Sequence, residues 1–151
     1  MDIIKYDSDS KIEYSNFIRK YNKSKYMHTL NIQTLSNGKK IYLVVDKIIF
    51  SRYKIIGYAI IYEDLYPICY ANNINQEYNK NSKTIFISDF MIDKPYRNQG
   101  FGKYLENFIV NEIYKEKDII LQPDGDGNWF WKKFGFIPDN ISKQLTLILK
   151  K

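Results

Sequence analysis

Two glycines one residue apart, Gly100 and Gly102, lie where the segment PYRNQGFGKYLENFIV changes from a polar turn to a helical pattern. Glycine inside a helix costs about 1 kcal/mol relative to alanine, so a pair at a helix start indicates that the backbone must be accessible there. The first N–H groups of a helix lack intrahelical acceptors and lie at the positive end of the helix dipole. An unobstructed helix start therefore predicts an anion site suited to phosphate.

The two common nucleotide-binding motifs do not fit this segment. A dinucleotide-binding fingerprint requires a third glycine at the position of Leu105. A P-loop requires Ser or Thr after Gly102-Lys103, where the chain has Tyr104. The sequence therefore predicts a phosphate site of a different kind.

The apolar pattern around the glycines predicts one mixed α/β unit. Strand patterns cover 2–6, 40–50, 53–64, 84–92, 118–122 and 144–150, and helical patterns cover 9–21, 25–35, 101–113 and 126–134. The second and third strands are expected to pair antiparallel. The helix after the glycines is expected to have one apolar face, formed by Phe101, Tyr104, Leu105, Phe108, Ile109 and Ile113.

Three features of the first half of the chain complete this pattern. The first helix is expected to be capped by Ser8 or Ser10, and its apolar positions are Ile12, Tyr14, Phe17, Ile18 and Tyr21. The second helix is expected to end at the turn Asn37-Gly38. The polar stretch 71–83 has no periodicity and is expected to form a mobile loop.

Length and composition limit the class of protein. A chain of 151 residues is expected to form a single domain, 1–151. One cysteine, Cys69, and one histidine, His28, predict no disulfide framework and no metal site, so both are interpreted as structural. No uncharged apolar run reaches membrane-spanning length, which predicts a soluble, cytoplasmic protein without a membrane partner. The net charge of +6 weakly favours an anionic partner.

The segment Arg97–Gly102 resembles the pyrophosphate-binding segment of the GNAT superfamily of N-acetyltransferases, whose pattern is Arg or Gln, two residues, Gly, one residue, then Gly or Ala. It follows a strand and opens an amphipathic helix. The later stretch FWKKFGF, 130–136, is similar to the superfamily's second segment, which ends in Gly-Phe. Gly135 and Phe136 also fit a left-handed helix cap and its apolar follower. The resemblance is specific over 84–137 and only topological before it.

This resemblance implies an α+β fold, with a mixed, mostly antiparallel sheet splayed in the middle and flanked by helices. Acetyl-CoA would enter between the fourth and fifth strands as co-substrate, with no metal. The strand residues would contact its pantetheine arm and the turn its pyrophosphate. The residues implied as cofactor contacts are Phe90, Met91, Ile92, Arg97, Asn98, Gln99, Gly100, Phe101, Gly102, Lys103, Asn128, Trp131 and Lys133.

The resemblance also implies direct transfer of the acetyl group to a primary amine of a small molecule, peptide or protein. An amine must be uncharged to attack, so Asp89, on the strand expected to carry the thioester, is the candidate base, directly or through water. Further carboxylates are Asp93 and the pair Glu63-Asp64. Some family members have a glutamate at the position of Phe86, which has no group to accept a proton.

Two further positions depart from the family. Many members have a tyrosine, able to protonate the leaving thiolate, where this chain has Trp131. An indole N–H donates a hydrogen bond but is no general acid near neutral pH, so Trp131 is interpreted as a wall of the thioester pocket. Many relatives have a cofactor-facing asparagine where this chain has Asp124, and Asn128, one helical turn later, would substitute for it.

Two alternatives belong to other functional classes. One is an acetyl-CoA-binding module that does not turn over. The other is an RNA-binding domain, because QGFGKYLENF is similar to an RNA-recognition strand motif. That motif needs alternating aromatic residues, whereas the fifth position here is Lys103 and the apolar residues that follow keep helical spacing. Gln99 also replaces the basic first residue, so the pattern argues against nucleic acid.

Overall fold

The computed structural model describes residues 1–7, 9–21, 39–49, 52–65, 78, 83–124, 127–139 and 145–151. Over these residues it has seven strands and three α-helices. In chain order they are β1 (Asp2–Lys5), α1 (Lys11–Tyr21), β2 (Lys39–Ile49), β3 (Arg52–Tyr62), β4 (Thr84–Ile92), α2 (Phe101–Asn107), β5 (Asp118–Leu121), α3 (Gly127–Lys133), β6 (Ile137–Asp139) and β7 (Thr146–Leu149). A 3-10 turn, Lys94–Tyr96, precedes α2, and a π-helical segment, Phe108–Ile113, continues it.

Several predicted features lie outside the described residues. They are the helix over 25–35, the turn Asn37-Gly38, Ser8 as a cap, and most of the loop 71–83. Cys69 and His28 also lie outside.

The strands form one sheet in the order β1-β2-β3-β4-β5-β7-β6. The pairs β1/β2, β5/β7 and β6/β7 are antiparallel, and β4/β5 is parallel, from Thr84 opposite Asp118 to Ile87 opposite Leu121. The adjacent strands β2 and β3 are separated by two residues, a link too short for a parallel crossover. The predicted mixed, mostly antiparallel sheet is therefore confirmed.

The chain divides into two compact units. The first contains Met1–Ile60 and Asp89–Glu106, and the second contains Ile61–Ser88 and Asn107–Lys151. The end of β4, the following turn and the start of α2 therefore belong to the first unit. A single domain over 1–151 stays a prediction.

Helix α1 buries one face in the first unit. Tyr14, Phe17 and Ile18 are buried, whereas Ile12 is 71% exposed. Two residues correspond to about 200° around a helix, so Ile12 faces away from Tyr14, and its predicted burial was wrong. The carboxylate of Asp7 accepts the backbone N–H groups of Asp9 and Ser10, both at 3.0 Å, while the Ser10 hydroxyl donates to Asp7. The Ser10 Oγ in turn accepts the backbone N–H of Asp7 at 3.0 Å, so Asp7 and Ser10 together satisfy the N–H groups before α1.

The helix after Gly100 departs from regular geometry. Leu105 and Ile109 are fully buried as predicted, but Tyr104 is 43% exposed and Ile113 is 42% exposed, so those two predictions were wrong. Tyr104 lies about 100° around the axis from Leu105, at the edge of the buried stripe. The Tyr114 N–H donates to the Ile109 carbonyl at 2.9 Å, a π-type bond that adds one residue to the turn. This extra residue places Tyr114, instead of Ile113, in the interior.

The end of α3 confirms the predicted left-handed cap. Gly135 has φ of 88°, its N–H donates to the Lys132 carbonyl at 3.1 Å, and the Phe136 N–H donates to the Trp131 carbonyl at 3.3 Å. These two bonds define a Schellman motif. The Trp131 and Phe136 rings lie 5.1 Å apart, which supplies the apolar contact that accompanies this motif.

The strand β6 was missed by the sequence pattern. It has three residues, Ile137–Asp139, and contains Pro138. Proline is tolerated there because β6 is an edge strand, paired only with β7 in the described sheet. Three residues are too few to show alternation of apolar and polar side chains.

Replacing Gly57 by Ala is expected to destabilise the protein by about 1–3 kcal/mol. A Cβ there would lie 2.7 Å from the Met91 carbonyl oxygen and 2.6 Å from the Ile92 Cδ1. A backbone carbonyl cannot rotate away as a side chain does, so the strands would have to shift. The measurement is the free energy of unfolding from urea titration.

The matched control is Gly127→Ala, where the new Cβ would lie 3.7 Å from the Pro123 Cβ, an ordinary contact. Its stability should be unchanged or slightly raised, because alanine favours a helix more than glycine does. Equal losses in the two variants would contradict this account of Gly57.

Candidate functional site

Hydrogen bonds donated by residues of the turn after β4 hold that turn in place. The Asp93 N–H donates to the Ile56 carbonyl at 2.7 Å, and the Tyr96 N–H donates to the Asp93 carbonyl at 2.8 Å. The Arg97 Nε donates to the Ile92 carbonyl at 2.8 Å. The side chain of Arg97, predicted as a cofactor contact, therefore holds the turn against the end of β4.

The start of α2 leaves its first N–H groups without helical acceptors. The first helical bond runs from the Tyr104 N–H to the Gly100 carbonyl at 2.9 Å, so the N–H groups from Gly100 to Lys103 come before it. Gly100 has φ of 89° and Asn98 has φ of 60°. A Cβ at Gly100 would meet no atom within 4 Å, so the backbone angle, rather than crowding, requires glycine there.

The predicted turn residues lie mostly at the surface. Asn98, Gln99, Gly100 and Lys103 are exposed. The Gln99 amide donates to the Pro95 carbonyl at 2.8 Å, which stabilises the turn internally. The backbone, rather than the side chains, therefore offers the donors that an anion requires.

The ring of Phe101 packs at the base of this turn. It lies 6.0 Å from the Tyr96 ring, and the Lys54 ammonium lies 5.1 Å above Tyr96. Along β4, Phe90 and Met91 are half-buried and Ile92 is buried. The structure thus places the predicted strand and turn residues of the cofactor site in one compact unit.

The remaining predicted cofactor residues, Asn128, Trp131 and Lys133, lie on α3 in the second unit. The Asn128 Oδ1 is buried and has no hydrogen-bond partner among the described residues. Trp131 is 5% exposed. The Lys133 ammonium lies 4.0 Å from the centre of the Trp129 ring, a cation–π contact.

Asp89 belongs to a polar cluster in the first unit. It is half-buried, and its charge acts on Tyr14 and on Lys39. Burial raises the pKa of Tyr14, and the charge of Asp89 raises it further. Burial lowers the pKa of Lys39, an effect that Asp89 opposes. Sequence reasoning missed Tyr14 and Lys39 because their proximity to Asp89 depends on the tertiary fold.

The sequence matches the acetyltransferase (GNAT) family over residues 9–136. The chain belongs to the GNAT family. No curated protein matches the sequence significantly.

Solved structures share the GNAT fold with this chain. A GNAT-family acetyltransferase from Staphylococcus aureus Mu50 has a TM-score of 0.65 at 18% identity, over 97% of this chain and 96% of that one. AtaTR bound with AcCoA has a TM-score of 0.64 at 14% identity, with coverage of 98% and 92%. A chimera of spermidine N-acetyltransferase SpeG from Vibrio cholerae and hSSAT has a TM-score of 0.61 at 13% identity, with coverage of 98% and 94%.

Two further positions that were considered for a proton acceptor, Phe86 and Glu63, make contacts within this GNAT chain. Phe86 is 4% exposed and packs with Leu65, Ile120 and Ile148. The Glu63 carboxylate accepts a hydrogen bond from the Tyr114 hydroxyl at 2.8 Å.

Over the described ranges there is no group of three His, Cys, Asp or Glu placed for a metal. No described helix is long and apolar enough to cross a membrane.

The raised pKa of Tyr14 predicts a loss of stability at alkaline pH. In the unfolded chain Tyr14 ionises near its ordinary pKa of 10.0, whereas in the folded state it keeps its proton to higher pH. Below pH 10 both states are protonated and no cost arises. Above pH 10 the unfolded state binds fewer protons, so the free energy of unfolding falls as pH rises.

Tyr14→Phe removes this contribution. The difference in free energy of unfolding between the variant and the wild type should be constant from pH 7 to 9 and should then shift in favour of the variant above pH 10. Urea titrations at pH 8 and 11 measure it. The same difference at both pH values would contradict the assigned burial of the hydroxyl.

Proposed function

We propose that this GNAT chain is an N-acetyltransferase that transfers the acetyl group of acetyl-CoA directly to a primary amine. The observation that carries the proposal is the start of α2. There, Gly100 has φ of 89°, and the N–H groups up to Lys103 precede the first helical hydrogen bond. An anion held by these donors gains from both the hydrogen bonds and the helix dipole.

The proposed cofactor contacts divide according to chemistry. Backbone N–H groups from Gln99 to Lys103 bind the pyrophosphate, and Phe90–Ile92 offer backbone groups to the pantetheine arm. On α3, the buried Asn128 Oδ1 has no hydrogen-bond partner in the part of the chain that the structure describes, and it is suited to accept a hydrogen bond from a pantetheine amide. Trp131 and Lys133 are the further proposed contacts of this segment.

The proposed reaction does not require a general acid from the protein. The lone pair of the neutral amine attacks the thioester carbonyl carbon, the C–S bond breaks, and CoA leaves as the thiolate. Thiols have pKa near 8.5, so the thiolate leaves without obligatory protonation, and Trp131 need not act as an acid. Asp89 takes the proton from the nitrogen, directly or through a water. The products are the N-acetyl amine and CoA.

The structure contradicts the RNA-binding alternative, whereas the alternative of a binding module without turnover requires an activity measurement. The RNA-recognition interpretation requires QGFGKYLENF to form a strand, but Phe101–Asn107 is a helix, so that interpretation was wrong. An acetyl-CoA-binding module without turnover is distinguished by a turnover assay over a panel of amines.

We also propose that the protein is located in the cytoplasm.

Acetyl-CoA and CoA are expected to stabilise the protein by about 2.7 kcal/mol at 100 times the dissociation constant, visible as a rise in melting temperature. Gly102→Val should abolish that rise, because a branched side chain would obstruct the approach of pyrophosphate to the N–H groups. The melting temperature without ligand is expected to show a folded protein.

Gly127→Ala, at a helix start without the motif, is the control and should keep the full rise. The absence of any rise at millimolar acetyl-CoA would refute the cofactor assignment. Normal binding by Gly102→Val would refute the role given to the turn.

Asp89→Asn is expected to lower the acetylation rate most at neutral pH and to recover partly as pH rises. The change preserves the shape of the side chain and removes the proton acceptor, and at higher pH the amine loses its own proton. The measurement is kcat/KM between pH 6.5 and 9.5. A uniform loss at every pH would show instead that Asp89 acts in binding or structure.

A further inference from the structure

Tyr104 is an exposed aromatic residue in the first turn of α2. It is 43% exposed, whereas the next residue, Leu105, is fully buried. In the part of the chain that the structure describes, the Tyr104 ring makes no aromatic or cation–π contact and its hydroxyl makes no hydrogen bond. The surface of this ring is therefore available to a ligand.

The position of Tyr104 places this ring beside the proposed pyrophosphate donors. Side chains of an α-helix lean toward its N-terminus, so a helical residue covers the turn that precedes its own Cα. For Tyr104 that turn contains the N–H groups from Gly100 to Lys103, which precede the first helical hydrogen bond. An anion bound by these donors would lie next to an exposed aromatic surface.

The two other aromatic residues of this turn are already engaged by the protein. The Lys54 ammonium lies 5.1 Å from the centre of the Tyr96 ring, and the Tyr96 and Phe101 rings lie 6.0 Å apart. Among the aromatic residues from Lys94 to Tyr104, Tyr104 is thus the one without such a contact in the described structure.

The chemistry of CoA determines which part of the ligand reaches this ring. Its pyrophosphate carries the pantetheine arm on one side and adenosine on the other. The pantetheine arm is proposed to follow Phe90–Ile92, which are half-buried or buried. The adenosine must therefore leave on the other side, over the exposed surface formed by Asn98, Gln99 and Gly100. Adenine is flat and aromatic, and a base stacked on an aromatic side chain gains about 1–3 kcal/mol.

We propose that Tyr104 binds the adenine base of CoA by stacking. The inference rests on the proposed function and adds a base-binding residue to its cofactor site. Stacking uses the face of the ring, so the hydroxyl of Tyr104 and the hydrogen-bonding edge of the base are not required. The base lies far from the thioester along the CoA molecule, so the contact is equally strong in the ground state and the transition state and changes KM rather than kcat.

The test measures the dissociation constants of three probes by calorimetric titration. CoA and 3′,5′-ADP contain the base, whereas 4′-phosphopantetheine contains the pantetheine arm and one phosphate without adenosine. Tyr104→Ala should weaken CoA and 3′,5′-ADP about tenfold each and leave 4′-phosphopantetheine unchanged. Tyr104→Phe keeps the ring and should bind all three probes as the wild type does. In turnover, Tyr104→Ala should raise the KM for acetyl-CoA about tenfold at unchanged kcat.

A fluorescent analogue, 1,N6-etheno-CoA, reports on the base itself, because its adenine is modified at the hydrogen-bonding edge. Fluorescence anisotropy should show that the wild type binds it within about threefold of CoA and that Tyr104→Ala binds it about tenfold more weakly than the wild type does. A wild type that binds CoA but discriminates strongly against this analogue would show recognition of the edge and would overturn stacking.

Ile113→Ala is the matched control. Ile113 is 42% exposed and lies in the π-helical segment that continues α2, so this variant also removes an exposed side chain from the same helix. It should leave the dissociation constant of CoA unchanged. Both variants should melt close to the wild type, since substitutions of exposed side chains have small effects on stability.

The inference and the proposed function fail in different ways. A wild type that does not bind CoA would overturn the proposed function. Wild-type affinity of Tyr104→Ala for CoA would show that the ring does not contact the base. Equal losses for CoA and 4′-phosphopantetheine in Tyr104→Ala would show that Tyr104 supports the turn instead. Each of the last two results overturns the inference and leaves the cofactor assignment in place.

Discussion

The positive φ of Gly100 is the constraint on which the candidate site depends. It turns the chain sharply, so that the Gly100 carbonyl accepts the first bond of α2 while the preceding turn remains attached to the end of β4 through Arg97. A strand, a tight turn and a helix start are thus held together by backbone geometry and one side chain. The donors offered to an anion are backbone groups, so their positions follow from the turn rather than from flexible side chains.

The first unit contains, besides this turn, an aromatic core with buried hydroxyl groups. Tyr6, Tyr14 and Tyr58 pack ring against ring, but the buried hydroxyls of Tyr6 and Tyr14 have no hydrogen-bond partner among the described residues, and the charge of Asp89 acts on Tyr14. Such a cluster lowers stability in the free protein, because buried polar groups lose hydration. These tyrosines lie in the same unit as the turn.

The parts that could be predicted from the sequence are those determined by neighbouring residues. The Gly100 turn and the Gly135-Phe136 cap depend on backbone angles and contacts within a few residues. Their sequence patterns were therefore sufficient to predict them. The π-helical segment was not predictable, because Ile113 and Tyr114 are both apolar enough to be buried, and tertiary packing decides between them. Tyr14 and Lys39, on which the charge of Asp89 acts, come from distant parts of the chain, so no local spacing could indicate that interaction. The exposure of Ile12, by contrast, follows from helix geometry and was a local error.

The two edge strands of the described sheet have a consequence for how the protein behaves at high concentration. Strand β1 has four residues with charged side chains at both ends, and β6 has three residues with Pro138 in the middle. An exposed edge acts as a template for strands of other chains, but short, charged or proline-containing edges provide few N–H and C=O groups in register. These edges therefore oppose aggregation by strand addition, and self-association of this sheet would have to use side-chain surfaces instead of backbone pairing.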